Sequence, residues 1–454
     1  MLVRLSIRNV LSFRDDVELS LVASSEKGHA HHKRTVGTSK NHDLLRLALL
    51  YGPNAAGKSN FVHAVGLFQK LVRHGTDPDE PTGLSPFKLD NANLASPSRF
   101  ECTFVVRDTM FTYGIVADSE SIHEEWLFAE QLQRGKRERM VFERITEAGR
   151  NRVDLGRLLV DETEQGRQFL AHVAEGTRSN QPFLTELVLR NVAYAETAWR
   201  WITDALILIG PSSSYGPLIH RAVGDDHFVS FLSDSLRSMN TGISRLDVET
   251  NVVSESVLPA GMSADEFRKV MDALGEGESI IRHGMDGSRT LFRKTEDDKL
   301  VVETIKSVHK GSAGEDVTFD FSEESDGTRR MIDLLPVLLE QQSGGRVFII
   351  DELDRSLHTH LVRWFIKRFL AEGASDAQIV ATVHDTNILD QRLIRRDETW
   401  LIEKDDHGSS DLFSLVDFNI RNDLALEGAY LNGRFGAVPF STNLPFYVNE
   451  PSSS

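Results

Sequence analysis

Tyr51-Gly52-Pro53-Asn54-Ala55-Ala56-Gly57-Lys58-Ser59-Asn60 is the stretch whose reading decides the fold. An apolar run, residues 44–50, precedes it and reads as a buried strand. Phe61-Val62-His63-Ala64-Val65-Gly66-Leu67-Phe68 follows, and its apolar spacing fits a helix. Gly-x-x-x-x-Gly-Lys-Ser between a strand and a helix is the phosphate-binding P-loop pattern. Glycine permits the tight turn, so that successive backbone N–H groups and the helix N-terminus can point at one anion. In that arrangement Lys58 reaches the outer phosphates and the Ser59 hydroxyl ligates Mg²⁺. A chance glycine-rich turn is the competing reading, and the complete spacing with a strand before and a helix after argues against it. Residues Gly52, Pro53, Asn54, Ala55, Ala56, Gly57, Lys58, Ser59 and Asn60 are therefore expected to hold ATP.

A second apolar strand, Gly345-Arg346-Val347-Phe348-Ile349-Ile350, ends in Asp351-Glu352. In P-loop proteins an acid at that place holds Mg²⁺. Two adjacent acids suggest divided work, with Asp351 at the metal and Glu352 polarising the attacking water as general base. A third apolar strand, Gln378-Ile379-Val380-Ala381-Thr382-Val383, ends in His384. A histidine after a strand is usually structural, but at the same sheet edge as Lys58 and Asp351 it could contact the γ-phosphate. Upstream, Ser325-Asp326-Gly327-Thr328 opens a helical run. Taken locally it is an N-capped helix start, with a second anion site as the alternative.

The chain's 454 residues allow two or three domains, and 40% hydrophobic with 26% charged residues is ordinary for a globular protein. No apolar stretch is long enough to span a membrane, and residues 1–7 alternate like a strand rather than a signal peptide. The single cysteine, Cys102, shares a strand face with Phe100 and Phe104 and reads as a core thiol. These features imply a cytoplasmic protein. A net charge of −17 argues against a broad nucleic-acid surface and leaves room only for a local basic groove.

Along the chain, residues 1–23 read as two strands around a turn. Residues 24–43 read as a solvated polar loop; His29, His31 and His32 lie in it, too few convergent ligands for a metal site. Residues 100–107, 110–117, 124–133 and 140–145 alternate as in an antiparallel sheet. Arg134, Lys136, Arg137, Arg139, Arg144, Arg150 and Arg152 form a basic cluster there, read as a solvated hairpin ahead of a contact site for nucleic acid or an acidic partner. Helical periodicity dominates 158–208, and 250–310 looks mixed. His358 and His360, two apart on an expected helix, should point to different sides. Asp405-Asp406 reads as a hairpin turn rather than a metal dyad. The expected domains are an N-terminal half-head at 1–154, a mainly helical insertion with a mixed end at 155–310, and a C-terminal half-head at 311–454.

The order P-loop, long insertion, Ser-x-Gly helix start, Asp-Glu strand and strand-His resembles the ABC-type ATPase heads of the SMC, Rad50 and RecF group. Within it the chain is similar to OLD-like bacterial ATPases, including the ATPase subunits of RloA/RloB-like and PARIS-like antiphage systems. The segments that carry the likeness include residues 5–14, the P-loop, Ile350-Asp351-Glu352-Leu353-Asp354-Arg355-Ser356-Leu357-His358 and residues 429–439. The resemblance implies an α/β P-loop NTPase of ABC-ATPase head type, with an antiparallel β-subdomain and a mainly helical insertion. It makes Ser325 and Gly327 a signature motif that reaches nucleotide held by a second copy, His384 a switch histidine, and residues 353–358 a D-loop. The signature departs from the common Leu-Ser-Gly-Gly-Gln, reading Glu324-Ser325-Asp326-Gly327-Thr328. Implied partners are a second copy of the chain, in a homodimer or higher oligomer, and a separate effector such as a Toprim or other nuclease. Only about seventy residues follow His384, too few for a Toprim domain in this polypeptide. The leading expectation is the ATPase and sensor of an antiphage defence system. A DNA-repair clamp and an ATP-binding scaffold with little turnover are the alternatives.

Overall fold

The structure is a computed structural model that describes residues 1–37, 42–133, 137–147, 149–159, 163–211, 218–254, 258, 262–275, 278–283, 289–295, 297–371, 375–418 and 426–438. The chain divides into two compact units. The first comprises Met1–Leu208, Gly345–Glu352 and Glu372–Ser454; the second comprises Ile209–Gly344 and Leu353–Ala371. These units cut across the three consecutive blocks expected from the sequence.

The first unit contains a six-stranded sheet in the order Leu206–Ile209, Val347–Ile350, Gln378–Thr382, Leu47–Tyr51, Thr399–Lys404, Ser410–Ser414. The Val347, Gln378, Leu47 and Thr399 strands run parallel to one another, and the last two strands form an antiparallel hairpin. Strands Leu47–Tyr51 and Gln378–Thr382 are buried at every residue, which explains their unbroken apolar sequences. Ile350 stands opposite Ala381, Ala381 opposite Leu49, and Thr382 opposite Leu50. The carboxyl ends of three adjacent strands thus come out at one edge, where open parallel sheets bind their ligands.

A seven-stranded antiparallel sheet completes this unit, in the order Arg150–Leu155, Arg139–Glu147, Ile122–Gln131, Thr109–Ala117, Ser98–Val106, Leu2–Arg8, Val17–Ser20. Helix Lys58–His74 buries Phe61, Ala64, Val65, Phe68, Leu71 and Val72, and Phe68 stacks on Phe100 of that sheet with ring centroids 5.5 Å apart. Cys102 is fully buried, and burial pushes its thiol well above the usual range. The helices expected within 158–208 form as Glu164–Gly176, Phe183–Leu189 and Ala193–Arg200.

The basic cluster dissolves in part. Arg144 is buried and donates to Glu125 at 3.4 Å and to the carbonyls of Gln181, Arg178 and Ser179. It neutralises a buried acid and offers nothing to a partner, because a guanidinium so placed is already desolvated and satisfied. Arg134 and Lys136 lie outside the described residues.

The second unit pairs Ile243–Val253 with Leu300–Lys310, followed by Arg289–Lys294 and Ser279–His283, while Asp316–Asp320 pairs with Leu300–Lys310. Its helices include Asp226–Ser238, Ala264–Ala273, Asp326–Glu340 and Thr359–Ala371. The expectation for His358 and His360 needs correction. His358 precedes the helix, accepts the His360 N–H at 3.2 Å, and stacks on the His360 ring with centroids 5.1 Å apart. Helical spacing does not govern a residue that lies before the first turn.

Candidate functional site

Strand Leu47–Tyr51 delivers the chain into the glycine-rich turn, and helix Lys58–His74 leaves it. The turn is held by close backbone approach. A Cβ on Gly52 would lie 2.2 Å from the Ile402 carbonyl oxygen, and one on Gly57 would lie 2.3 Å from Ser410 Oγ. Gly57 has φ 120° and Ala55 φ 65°, both left-handed, so the loop doubles back twice within three residues. Ser410 Oγ stands 2.5 Å from the Ala56 carbonyl and 2.8 Å from Ser12 Oγ, and the Ser410 N–H donates to the Ser12 carbonyl at 2.7 Å. Neither Ser12 nor Ser410 is singled out by sequence, since a serine buttress has no local signature.

Lys58 is buried and its ammonium donates to the carbonyls of Gly52 at 2.6 Å and Pro53 at 3.1 Å. Ser59, Asn54 and Ala55 are exposed. The helix start at Gly57 has no side-chain cap.

Beyond Ile350 the two carboxylates separate. Asp351 is buried, whereas the Glu352 side chain is one-third exposed. Glu352 adopts φ 50°, an unusual left-handed conformation for an L-residue that costs on the order of 1–3 kcal/mol. Thr382, on the neighbouring strand, holds this turn: its hydroxyl donates to Asp351 Oδ1 at 2.6 Å and accepts the Glu352 N–H at 2.7 Å. His384 Nε2 lies 4.0 Å from Glu352 Oε1. Thr382 is the functional residue that the sequence reading passed over. Its only signal is a hydroxyl two positions before the strand-end histidine, and it acquires meaning once the parallel pairing is known.

The strand edge thus assembles, within one unit, the residues expected at Lys58, Asp351, Glu352 and His384. Carboxylate and hydroxyl oxygens are the donor set that Mg²⁺ prefers, and Asp351 and Ser59 supply one of each.

Ser325 and Gly327 lie in the second unit. Ser325 caps helix Asp326–Glu340, accepting the Thr328 N–H at 3.1 Å, and its Oγ is 2.8 Å from Thr328 Oγ1. A Cβ on Gly327 would come within 2.7 Å of the Ser356 carbonyl oxygen. Inside one chain these residues have structural work: a cap, and close passage of the 353–358 segment.

A family profile described as "AAA domain, putative AbiEii toxin, Type IV TA system" matches residues 47–390. Among solved structures, the chain is similar to an SMC head domain from Thermotoga maritima at 11% identity and TM-score 0.33, covering 91% of this chain and 98% of that one. It is also similar to an SMC head bound to the C-winged helix domain of ScpA at 12% identity and TM-score 0.39, covering 91% and 97%. No curated protein matches. The fold is α/β, a mainly parallel sheet carrying the P-loop of an AAA domain, with an added antiparallel sheet. Among the described residues no helix is long and apolar enough to cross a membrane.

Proposed function

The chain belongs to the AAA_21 family, the AAA-domain family that its profile match describes, and on that premise we propose that it is an ATPase whose nucleotide state controls a separate effector. The observation that carries this reading is the meeting of the P-loop, the Asp351-Glu352 pair and His384 at the carboxyl edge of three adjacent parallel strands.

In this proposal residues 52–60 cradle the triphosphate, with Lys58 moving its ammonium from the loop carbonyls to phosphate oxygens. Ser59 and Asp351 hold Mg²⁺, which supplies charge neutralisation at the β- and γ-phosphates. Glu352 orients and deprotonates the attacking water, and His384 reports the γ-phosphate. The left-handed turn at Glu352 serves this division by sending one carboxylate inward and the next toward solvent. Ser325 and Gly327 of a second copy close each site, so hydrolysis requires a dimer sandwiching two ATP·Mg²⁺.

Such a composite site converts nucleotide occupancy into assembly, which suits a sensor that holds or releases an effector. The resemblance of both ends of the chain to antiphage ATPases supports a bacterial defence role, with a nuclease as the effector class. Phosphate release measured across a dilution series tests the composite site. Turnover per chain should rise with protein concentration and saturate; turnover independent of concentration would remove the second copy from the mechanism. Phage plating on cells carrying the chain with its co-purifying protein tests the defence role. Plating should fall with the intact chain and recover with Lys58→Ala, and equal plating in both would overturn it. Strong stimulation of turnover by DNA ends would instead favour a repair clamp.

A further inference from the structure

The segment between strand Val17–Ser20 and strand Leu47–Tyr51 is not the solvated loop its composition suggests. His29, His31 and His32 converge, with one ligand nitrogen from each lying within 4.8 Å of the others. A short turn makes this happen. His29 adopts φ 43°, the His32 N–H donates back to the His29 carbonyl at 2.9 Å, and the next strand starts at Lys33. The His31 and His32 rings lie 4.4 Å apart and the His29 and His32 rings 4.6 Å apart between centroids.

What distinguishes this cluster from three crowded imidazoles is what stands behind two of them. His32 Nδ1 lies 2.9 and 3.0 Å from the two oxygens of Glu398, and both side chains are almost fully buried. His29 Nε2 lies 2.8 Å from the Gln391 carbonyl oxygen, which can only accept, so this nitrogen carries the proton and Nδ1 keeps its lone pair. A carboxylate or carbonyl accepting the far N–H is how proteins set the tautomer and aim of a metal-bound histidine.

We propose that His29, His31 and His32 hold a divalent transition-metal ion of the zinc class, with Glu398 and the Gln391 carbonyl as positioning groups. Three imidazoles and an open fourth position for water make a tetrahedral nitrogen-rich site. Imidazole donors select zinc, cobalt, nickel or copper and disfavour Mg²⁺, so this site is chemically separate from the one at Asp351. Ligand nitrogens around zinc sit roughly 3.4 Å apart, from bonds of about 2.0–2.1 Å, a spacing inside the 4.8 Å limit within which these three nitrogens lie.

The ion would complete a bracket already present in the first unit. Asp397 accepts from the Ser24 N–H and hydroxyl at 2.8 and 2.7 Å, Arg395 binds Asp397 and the Gly28 carbonyl, and Arg396 pairs with Glu26. These contacts pin the 385–398 segment, which follows His384, to the loop that carries the histidines.

The test uses the full chain, stripped with a chelator and then titrated with Zn²⁺ in the absence of nucleotide, so that its outcome does not depend on ATP binding. Elemental analysis after gel filtration should find one zinc per chain, and the unfolding temperature should rise with zinc and not with equimolar Mg²⁺. His31→Ala, at an exposed ring that the fold does not need, should lose the retained zinc and the temperature shift. Glu398→Gln should weaken zinc by about 10–100-fold in competition with a chromophoric chelator. Cobalt should give tetrahedral absorption bands in the intact chain that vanish in His29→Ala and persist in His358→Ala. Zinc retention equal in the intact chain and in a His29→Ala/His31→Ala double variant would overturn the proposal, as would absence of retained zinc in the intact chain.

Discussion

Two helices in this chain begin beside a glycine that has no room for a side chain, and they differ in what caps them. At Lys58 the N-cap is Gly57, which supplies no side chain, and the loop before it is clamped by Ile402, Ser12 and Ser410. At Asp326 the N-cap is Ser325, whose hydroxyl already accepts the Thr328 N–H. An uncapped helix start presents N–H groups to an anion, and a capped one has spent part of that capacity on itself. In the proposed mechanism the first start binds phosphate within a single chain. The second is a structural element that gains a nucleotide role only if another copy brings one to it. That difference separates the part of the proposed mechanism one chain can perform from the part that needs assembly.

The sharpest way to break the comparison is at the strand edge. Glu352→Gln keeps the volume and the left-handed turn while removing the base. It should lower turnover by about 10²–10⁴-fold while ATP affinity, read by equilibrium binding, stays within a few-fold. Undiminished phosphate release would take Glu352 out of the base role. Lys58→Ala comes next, removing a charge-assisted contact to phosphate, and should weaken ATP binding on the order of 100-fold. Retained affinity would contradict the P-loop assignment.

Thr382→Val tests the link between strands. It leaves a buried carboxylate oxygen and the Glu352 N–H without the hydroxyl they share, at a cost of about 1–3 kcal/mol in denaturant unfolding. Turnover should fall roughly tenfold as the Glu352 turn loosens, given that about 1.4 kcal/mol corresponds to a factor of ten. A variant with both stability and turnover intact would mean that the threonine does not hold the turn.

The smallest effect falls on the capped helix. Ser325→Ala should cost about 1 kcal/mol of stability, and Ser325→Asn should restore it, because asparagine caps as well as serine. Turnover decides the rest. If Asn restores both stability and ATPase, Ser325 is only a cap; if it restores stability alone, the hydroxyl works at a nucleotide.

Legibility followed the range over which each signal acts. Strand, loop and helix around residues 51–60 were readable because glycine spacing, a lysine and flanking periodicity are all local. The acidic strand end and its histidine partner were readable for the same reason, and the alternating strands of the antiparallel sheet likewise. The buried pairing of Arg144 with Glu125 was not, since a basic residue in a charged hairpin looks solvated until a distant acid is found behind it. His32 and Glu398 are a sharper case, 366 positions apart and in direct contact.

By itself the amino-acid sequence determined that this chain carries a phosphate-binding turn and a strand ending in paired acids, because both are written in contiguous residues whose conformations are set by neighbours a few positions away. Only the tertiary structure decided which hydroxyl separates Asp351 from Glu352, which serines brace the glycine turn, and that one of the three histidines in a polar segment sits against a buried carboxylate. Those contacts arise from strand pairing and burial across the whole chain, and no window of sequence contains both partners.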